Sequence, residues 1–152
     1  MQTITPFLWF DNNLEEALAF YTGIFKDSEI LNVSRGGPDG PVFMATFRLN
    51  GQVLMGLNGG PMYKFTEALS LFVSVETQEE VDYLWDALSA GGQLQQCGWL
   101  KDKFGLSWQI VPTALGELMG DPDPVKSQRV MQAMLKMVKI DIQGLRDAWA
   151  GR

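Results

Sequence analysis

The pattern of hydrophobic and polar positions in the first half of the chain is repeated in the second half. Apolar residues 7–10 lead through a polar turn to a glutamate pair at 15–16, and apolar residues 71–75 lead through a similar turn to a pair at 79–80. After each pair, apolar residues recur three and four positions apart, which predicts a helix with one buried face. Alternating runs then predict hairpin strands. The repeat predicts two strand–helix–strand modules.

The boundaries of the predicted elements follow from the same pattern and from the turn residues between runs. After residue 112 we predict a short helical turn, a helix from an Asp123 cap to about Lys139, and a last helix that begins at an Asp141 cap and ends near Gly151. The strands are predicted near residues 4–10, 28–35, 42–49, 52–58, 68–75, 93–97, 98–102 and 106–112, and the module helices near residues 13–26 and 77–90.

Two hairpins decide which side chains share a face of the predicted sheet. Asn50-Gly51 is typical of a two-residue type I′ turn, because both central positions need positive φ, and it predicts that Leu49 pairs with Gln52. In the second module we predict that Lys101 pairs with Leu106, which would turn Leu100 inward and stack Trp99 on Trp108 in the core. A register slip of one residue would reverse that assignment.

Length, composition and charge limit the class of protein. With 152 residues, 46% of them hydrophobic, the chain is predicted to form one domain with parts 1–60, 61–112 and 113–152. The net charge of −6 and the lack of a basic cluster disfavour nucleic acid as a partner. No run reaches the ~18 apolar residues of a membrane span. The single cysteine, Cys97, is interpreted as a small apolar side chain, and its isolation fits a reducing, cytoplasmic location.

Five segments carry a resemblance to a known family, namely residues 5–11, 57–61, 97–112 (CGWLKDKFGLSWQIVP), 121–124 and 129–134. They resemble the vicinal oxygen chelate superfamily of glyoxalase-like proteins, and within it the PhnB-like branch, which often carries the label 3-demethylubiquinone-9 3-methyltransferase-like. The resemblance implies an α+β fold in which paired βαβββ modules form a cupped mixed sheet, followed by C-terminal helices. It also implies a homodimer.

The resemblance allows a comparison with metal-dependent relatives, in which four inward side chains hold a divalent ion. The matching positions here are Pro6, Met55, Ser70 and Gln109. Proline and methionine offer a hard cation no useful donor, serine is a weak ligand, and the chain contains no histidine. We therefore predict no metal site. We also predict no nucleotide-type cofactor, because no Gly-rich loop follows a first strand and opens a helix.

The predicted cup is a candidate site for a small-molecule ligand, because it combines apolar and methionine side chains with a few polar groups. Arg48 could hold a carboxylate or phosphate, or be only a solvated surface charge. Gln109 could orient a ligand carbonyl, or satisfy neighbouring backbone groups. No catalytic residue is predicted. The candidate pocket residues are Met44, Thr46, Arg48, Met55, Leu57, Ser70, Phe72, Leu100, Ser107 and Gln109.

Three functions are compatible with this pattern. The first is a metal-free binding protein for a small, largely apolar molecule. The second is a metal-independent enzyme that acts on a small oxygenated metabolite and uses Arg48, Gln109 or a group from a partner subunit to stabilise negative charge. The third is a structural role, with the cup filled by Met55, Leu57 and Phe72. A stripe at Met131, Met134, Leu135 and Val138 is interpreted as core or dimer interface rather than a ligand lid.

Overall fold

The computed structural model describes residues 1–152, which form two compact units, Met1–Phe65 and Thr66–Arg152. Each unit has the strand–helix–three-strand order that the sequence repeat predicts, and each contains one mixed four-stranded sheet. This confirms the α+β class and the paired modules, with C-terminal helices following the second. None of the helices combines the length and the apolar character needed to cross a membrane.

The first unit is one module. Its sheet has the order β1-β4-β3-β2, with β1 parallel to β4 and the other neighbours antiparallel. A parallel pair needs a long crossover, and here the helix and the intervening hairpin strands supply it. The elements are β1 (Phe7–Phe10), α1 (Leu14–Ile24), β2 (Ser28–Arg35), β3 (Val42–Leu49) and β4 (Gln52–Asn58).

The second unit repeats this arrangement and then continues into three helices. Its sheet has the order β5-β8-β7-β6, again with the first strand parallel to the last. Its elements are β5 (Ser70–Val75), α2 (Gln78–Ser89), β6 (Gln93–Leu94), β7 (Trp99–Lys101), β8 (Ser107–Pro112), α3 (Thr113–Met119), α4 (Pro124–Met134) and α5 (Ile142–Ala150).

One face of each sheet is buried under its helix. In the first unit, Tyr21 of α1 is buried and stacks on Phe47 of β3, with ring centroids 6.5 Å apart. In the second unit, Leu88 of α2 is fully buried on the side of the sheet that holds Trp108 and Ile110. Burial of one such side chain contributes about 1.5–3 kcal/mol. The opposite face of each sheet is therefore the one available for a ligand.

The first hairpin forms as predicted. Leu49 pairs with Gln52, and the turn residues Asn50 and Gly51 have φ values of 46° and 86°. Positive φ at both positions is what a type I′ turn requires, and Asn-Gly tolerates it better than other pairs. The register of β3 and β4 is thus set by the turn itself, which is why two residues sufficed to predict it.

The predicted register of the second hairpin is wrong by one residue. Lys101 pairs with Ser107, not with Leu106. Consequently Leu100, 0% exposed, lies on the core face beside Trp108, and Trp99 lies on the other face instead of stacking on Trp108. Leu100 therefore cannot line a site on the open side of the sheet. The turn has three residues between Asp102 and Leu106, with Gly105 at φ 86°, a known hairpin type.

The C-terminal helices form a small core of their own. Asp123 and Asp141 cap α4 and α5 as predicted, each accepting a hydrogen bond from the backbone two residues later. The helix after Asp123 ends at Met134, earlier than the predicted Lys139, so the predicted methionine stripe does not continue along one helix. The core consists of Val130, Ile140 and Leu145, with Leu115, Leu118, Met119, Met134, Met137 and Trp149 packed against it.

Candidate functional site

The face of the first sheet opposite α1, here called the first open face, carries five of the predicted pocket residues. Met44 pairs with Leu57 and Thr46 with Met55, and directly opposed residues share a face. All are half-buried. The predicted parity of this sheet is therefore correct. Residues of the candidate pocket on this face are Met44, Thr46, Arg48, Met55 and Leu57.

Arg48 has acidic partners on its own unit. Its Nη2 lies 3.1 Å from Oε2 of Glu29 and 3.9 Å from Oδ1 of Asp27. These carboxylates are more than half exposed, at 58% and 77%, so the pairs contribute little stability. An incoming carboxylate would have to displace them. This arrangement favours the surface-charge interpretation of Arg48 over an anion-binding role.

The corresponding face of the second sheet, here called the second open face, carries four further predicted residues. Ser70 pairs with Ser107, and Phe72 pairs with Gln109. Gln109 Nε2 donates a hydrogen bond to Ser70 Oγ at 2.9 Å, so its amide is held in place by a side chain and not by backbone groups. Phe72 is 58% exposed, which is unusual for a large aromatic side chain in mid-strand.

Ser107 is the least satisfied polar side chain of this face. It is 0% exposed, and its hydroxyl has no hydrogen-bond partner. Its neighbour across the strands, Lys101, is engaged by Glu67, and this ion pair holds the pKa of Glu67 below its usual range. A buried hydroxyl without a partner costs about 1–3 kcal/mol. Buried polar groups without a partner are rare in native structures.

The second open face ends in a pocket of about 480 Å³. The sheet supplies its floor, and α3 and α4 supply side chains at its border. Of the predicted residues, Phe72 and Gln109 line it. Sequence reasoning missed the contribution of the helices and, through the register error, that of Trp99. The lining residues are Phe72, Ser74, Cys97, Trp99, Gln109, Val111, Pro112, Thr113, Leu115, Gly116, Met119 and Met134.

Cys97 contributes to this pocket from a turn with an unusual backbone. It has φ 59°, followed by Gly98 at φ 83°, and left-handed φ is uncommon for a residue other than glycine. It is half-buried and not sealed in the core as a small apolar side chain would be. Since it is the single cysteine of the chain, its thiol reports on this pocket alone.

The positions that match metal ligands in the resembling superfamily do not form a suitable donor set. In the first unit, Pro6 uses its carbonyl to accept a backbone hydrogen bond from Met55 at 3.0 Å. In the second unit, Ser70 and Gln109 are bonded to each other. Nowhere in the chain do three or more His, Cys, Asp or Glu side chains cluster in a way that could hold a metal ion. Hard divalent cations prefer several carboxylate or carbonyl oxygens, which these residues do not supply.

Comparisons with known proteins identify a matching family and structures similar to this chain. The family model described as 3-demethylubiquinone-9 3-methyltransferase matches residues 2–111. The PhnB protein of Bacillus cereus is 39% identical, and the similarity covers 73% of this chain and 99% of that protein, with a TM-score of 0.68. The curated proteins that were compared include none that matches.

More distant structures share the fold. A protein of Pseudomonas aeruginosa is 20% identical over 74% of this chain and 98% of its own, with a TM-score of 0.62. The fosfomycin resistance protein of Listeria monocytogenes, a complex with Mn(II) and sulfate, is 15% identical over 72% of this chain and 89% of its own, with a TM-score of 0.55. At these identities the similarity shows the fold alone.

Proposed function

The chain belongs to the PhnB-like family described as 3-demethylubiquinone-9 3-methyltransferase, within the glyoxalase fold, and we propose that it binds a small, largely apolar molecule without a metal ion. The pocket at the end of the second open face is the observation that carries this proposal. Its volume of about 480 Å³ lies in the roughly 300–1,000 Å³ range of small-molecule sites. Apolar side chains dominate its lining, and a few polar groups can fix the orientation of a ligand.

The metal-free part of the proposal is supported by donor chemistry. The second unit offers a serine hydroxyl and a glutamine amide that are already bonded to each other. Neither carries charge, and a divalent cation would lose most of its hydration without comparable compensation. Ligand affinity would then come from apolar burial, at roughly 25 cal/mol per Å², and from hydrogen bonds within the pocket.

Methyl transfer, which the family description names, is not part of the proposal. The first strand ends at Phe10 and is followed by Asp11-Asn12-Asn13 before α1. A nucleotide-type cofactor in a βαβ unit requires glycines at this junction, so that the backbone can approach the cofactor closely. These residues provide no such loop.

A second candidate is a metal-independent enzyme that uses the same face. The amide of Gln109 is the group that favours it, because Gln109 lines the pocket and its Nε2 has a second N–H beside the one that bonds Ser70, which can bond negative charge that develops on a substrate. It would act as a hydrogen-bond donor and not as a nucleophile.

Native mass spectrometry of protein purified without chelator would test the proposal. We expect a homodimer, as the family resemblance implies, that carries a small organic adduct and no divalent metal. One metal ion per subunit without an organic adduct would overturn the metal-free proposal. If the adduct is recovered chemically changed after incubation with fresh protein, the enzyme replaces the binding protein as the favoured function.

The location of the adduct can be tested with the single thiol. Removal of the adduct should speed the alkylation of Cys97 by iodoacetamide, since Cys97 lines the pocket. Gln109→Leu should reduce the amount of adduct that is retained. Gln93→Leu is the matched control, because Gln93 is exposed on the same sheet and outside the pocket. Equal retention by both variants would place the ligand elsewhere.

A further inference from the structure

The helices after residue 112 lie outside the part of the chain that the family description covers. The family model ends at residue 111, just before α3 begins at Thr113. The similarity to the Bacillus cereus protein covers 99% of that protein but 73% of this chain. The chain is therefore longer than that relative, and these comparisons assign no role to α3 and α4, although residues 121–124 and 129–134 carry part of the sequence resemblance.

These helices are fastened to the second sheet through the backbone. The amides of Cys97 and Gly98 donate to the carbonyls of Met137 and Val138, both at 2.8 Å. The left-handed φ values at 97 and 98 turn two successive amides toward the segment after α4. Conformational strain at Cys97 is thus offset by hydrogen bonds that hold this segment in place.

A side chain of α2 makes a second attachment. Gln78 Nε2 donates to the carbonyl of Ile140 at 3.1 Å, and Gln78 Oε1 accepts from the amide of Ile142 at 2.8 Å. Nearby, Lys139 Nζ lies 2.8 Å from Oδ1 of Asp82, a pair that raises the pKa of Lys139. The segment between α4 and α5 therefore has a fixed position on the second unit.

The attached helices supply a large share of the pocket. Five of its twelve lining residues, namely Thr113, Leu115, Gly116, Met119 and Met134, come from α3 and α4. Without them this end of the sheet would be an open surface. Met119 and Met134 also pack against the helical core, so the wall they form is supported from behind.

No residue that lines the pocket carries a charge. Lys101 faces the same side of the sheet but is paired with Glu67. A charged ligand group would lose hydration without a side chain of opposite charge in the lining to compensate for the loss. Phe72 and Trp99 each pair with Gln109 on adjacent strands, so two aromatic side chains flank an amide across roughly 10 Å of sheet. This arrangement suits a flat group.

We infer that α3 and α4 make the pocket selective for a flat, uncharged ligand, with Gly116 marking the wall that limits its size. The inference rests on the proposed function and adds the chemical class of the ligand and the element that selects it. Gly116 lines the pocket and a Cβ atom there would meet nothing within 4 Å, so a larger side chain extends into the pocket without a clash at the helix backbone. Replacement of a helical glycine also favours the helix.

Two fluorescent probes that differ by one charge would test the inference. N-phenyl-1-naphthylamine is neutral, and 8-anilino-1-naphthalenesulfonate is the same aromatic pair with a sulfonate. We expect the neutral probe to bind the full chain at least tenfold more tightly than the anionic one. Gly116→Phe should weaken binding of the neutral probe at least tenfold, whereas Gly116→Ala should change it less than twofold. Phe72→Ala, on the sheet, should weaken binding of the neutral probe whether or not the helices select the ligand.

The outcomes separate the inference from the proposed function. Loss of binding in Phe72→Ala together with unchanged binding in Gly116→Phe would overturn the role of the helices and leave the binding function standing. Equal affinity for the two probes would overturn selection against charge. Binding that is insensitive to Phe72→Ala and to Gly116→Phe would overturn both. Gly116→Leu is a second variant in which a larger side chain fills the same pocket. Circular dichroism checks that each variant is folded.

Discussion

The last hairpins of the two modules reach the same topology by different means. In the first unit, positive φ at Asn50 and Gly51 makes the turn. In the second unit, Asp102 is 2% exposed and its Oδ1 accepts from the amides of Phe104 and Leu106, at 2.9 and 3.1 Å. Local backbone preference defines one turn and a buried carboxylate defines the other.

The helix starts of the two modules also differ. In α2, Thr77 and Glu80 form a reciprocal capping box within four residues of sequence. In α1, Asn13 makes no capping bond, and the amide of Leu14 instead donates to Oδ1 of Asn58 on β4 at 2.9 Å. One module thus uses backbone preference at its turn and a side chain from a distant strand at its helix start, whereas the other uses side chains of nearby residues at both places. A duplicated fold does not require duplicated stabilising interactions.

The largest difference in stability should appear when the residues that define the two turns are substituted. Asp102→Ala leaves two amides and the indole N–H of Trp108, which donates to Asp102 Oδ2 at 2.9 Å, without acceptors. At about 1–3 kcal/mol for each unpaired buried group, we expect the free energy of unfolding to fall by about 4 kcal/mol. Gly51→Ala, at φ 86°, should cost only about 1 kcal/mol. Urea denaturation would measure both.

Asp102→Asn is the control for this comparison. It keeps one acceptor oxygen for the turn amides and loses the acceptor for Trp108, so we expect an intermediate cost of about 2 kcal/mol. If Asp102→Ala were no more costly than Gly51→Ala, the carboxylate would not be what holds the second hairpin.

A smaller effect should separate the two helix caps. Asn58→Ala removes the acceptor for Leu14 and the donor for the carbonyl of Val42 at 3.0 Å, so we expect a loss of about 2 kcal/mol. Thr77→Ala removes one local cap, at about 1 kcal/mol. Asn13→Ala should change stability by less than about 0.5 kcal/mol. Thermal unfolding would rank the three, and a large effect of Asn13→Ala would contradict the distant cap.

The smallest effect concerns pH. Glu80 Oε2 accepts from the amides of Glu76 and Thr77 at 2.8 and 3.1 Å, and these bonds, that to Glu76 first, lower the pKa of Glu80 below 4.5. A lowered pKa stabilises the fold above the unfolded value, and the stabilisation is lost as pH falls through the folded value. The difference in melting temperature between the wild type and Glu80→Gln should therefore be present at pH 7 and shrink towards pH 3.

Glu79→Gln removes the same charge one residue away, without the two amide bonds. It serves as the control for the pH experiment. If both glutamine variants showed the same pH dependence, the general charge of the helix start would explain the effect and the capping box would not.

Sequence reasoning succeeded where the backbone preference of the turn residues determines the structure. Asn50-Gly51 predicted the register of the first hairpin, and therefore the face on which Met44, Thr46 and Met55 lie. The register of the second hairpin was predicted wrongly because Asp102 Oδ1 accepts two amides and closes a turn of three residues, 103–105. The spacing of hydrophobic residues does not indicate these hydrogen bonds. Because of this error Leu100 was predicted on the open face of the sheet, where Trp99 lies instead.

The helical wall of the pocket was missed for a different reason. The pattern at Met131, Met134 and Val138 indicated a buried stripe but gave no sign of which surface it would meet. That surface is selected by backbone bonds from Cys97 and Gly98, which depend on a left-handed conformation at a non-glycine residue. Tertiary contacts of this kind have no periodic signature.

The parallel pairing of the outer strands affects how the chain is made. β1 pairs with β4, so that Phe10 lies opposite Asn58, and β5 pairs with β8, so that Val75 lies opposite Pro112. During translation each first strand must wait for the last strand of its own module before its hydrogen bonds can close. The strands of the first sheet leave the ribosome before β5 does, and such N-terminal-first folding limits mispairing between two similar modules.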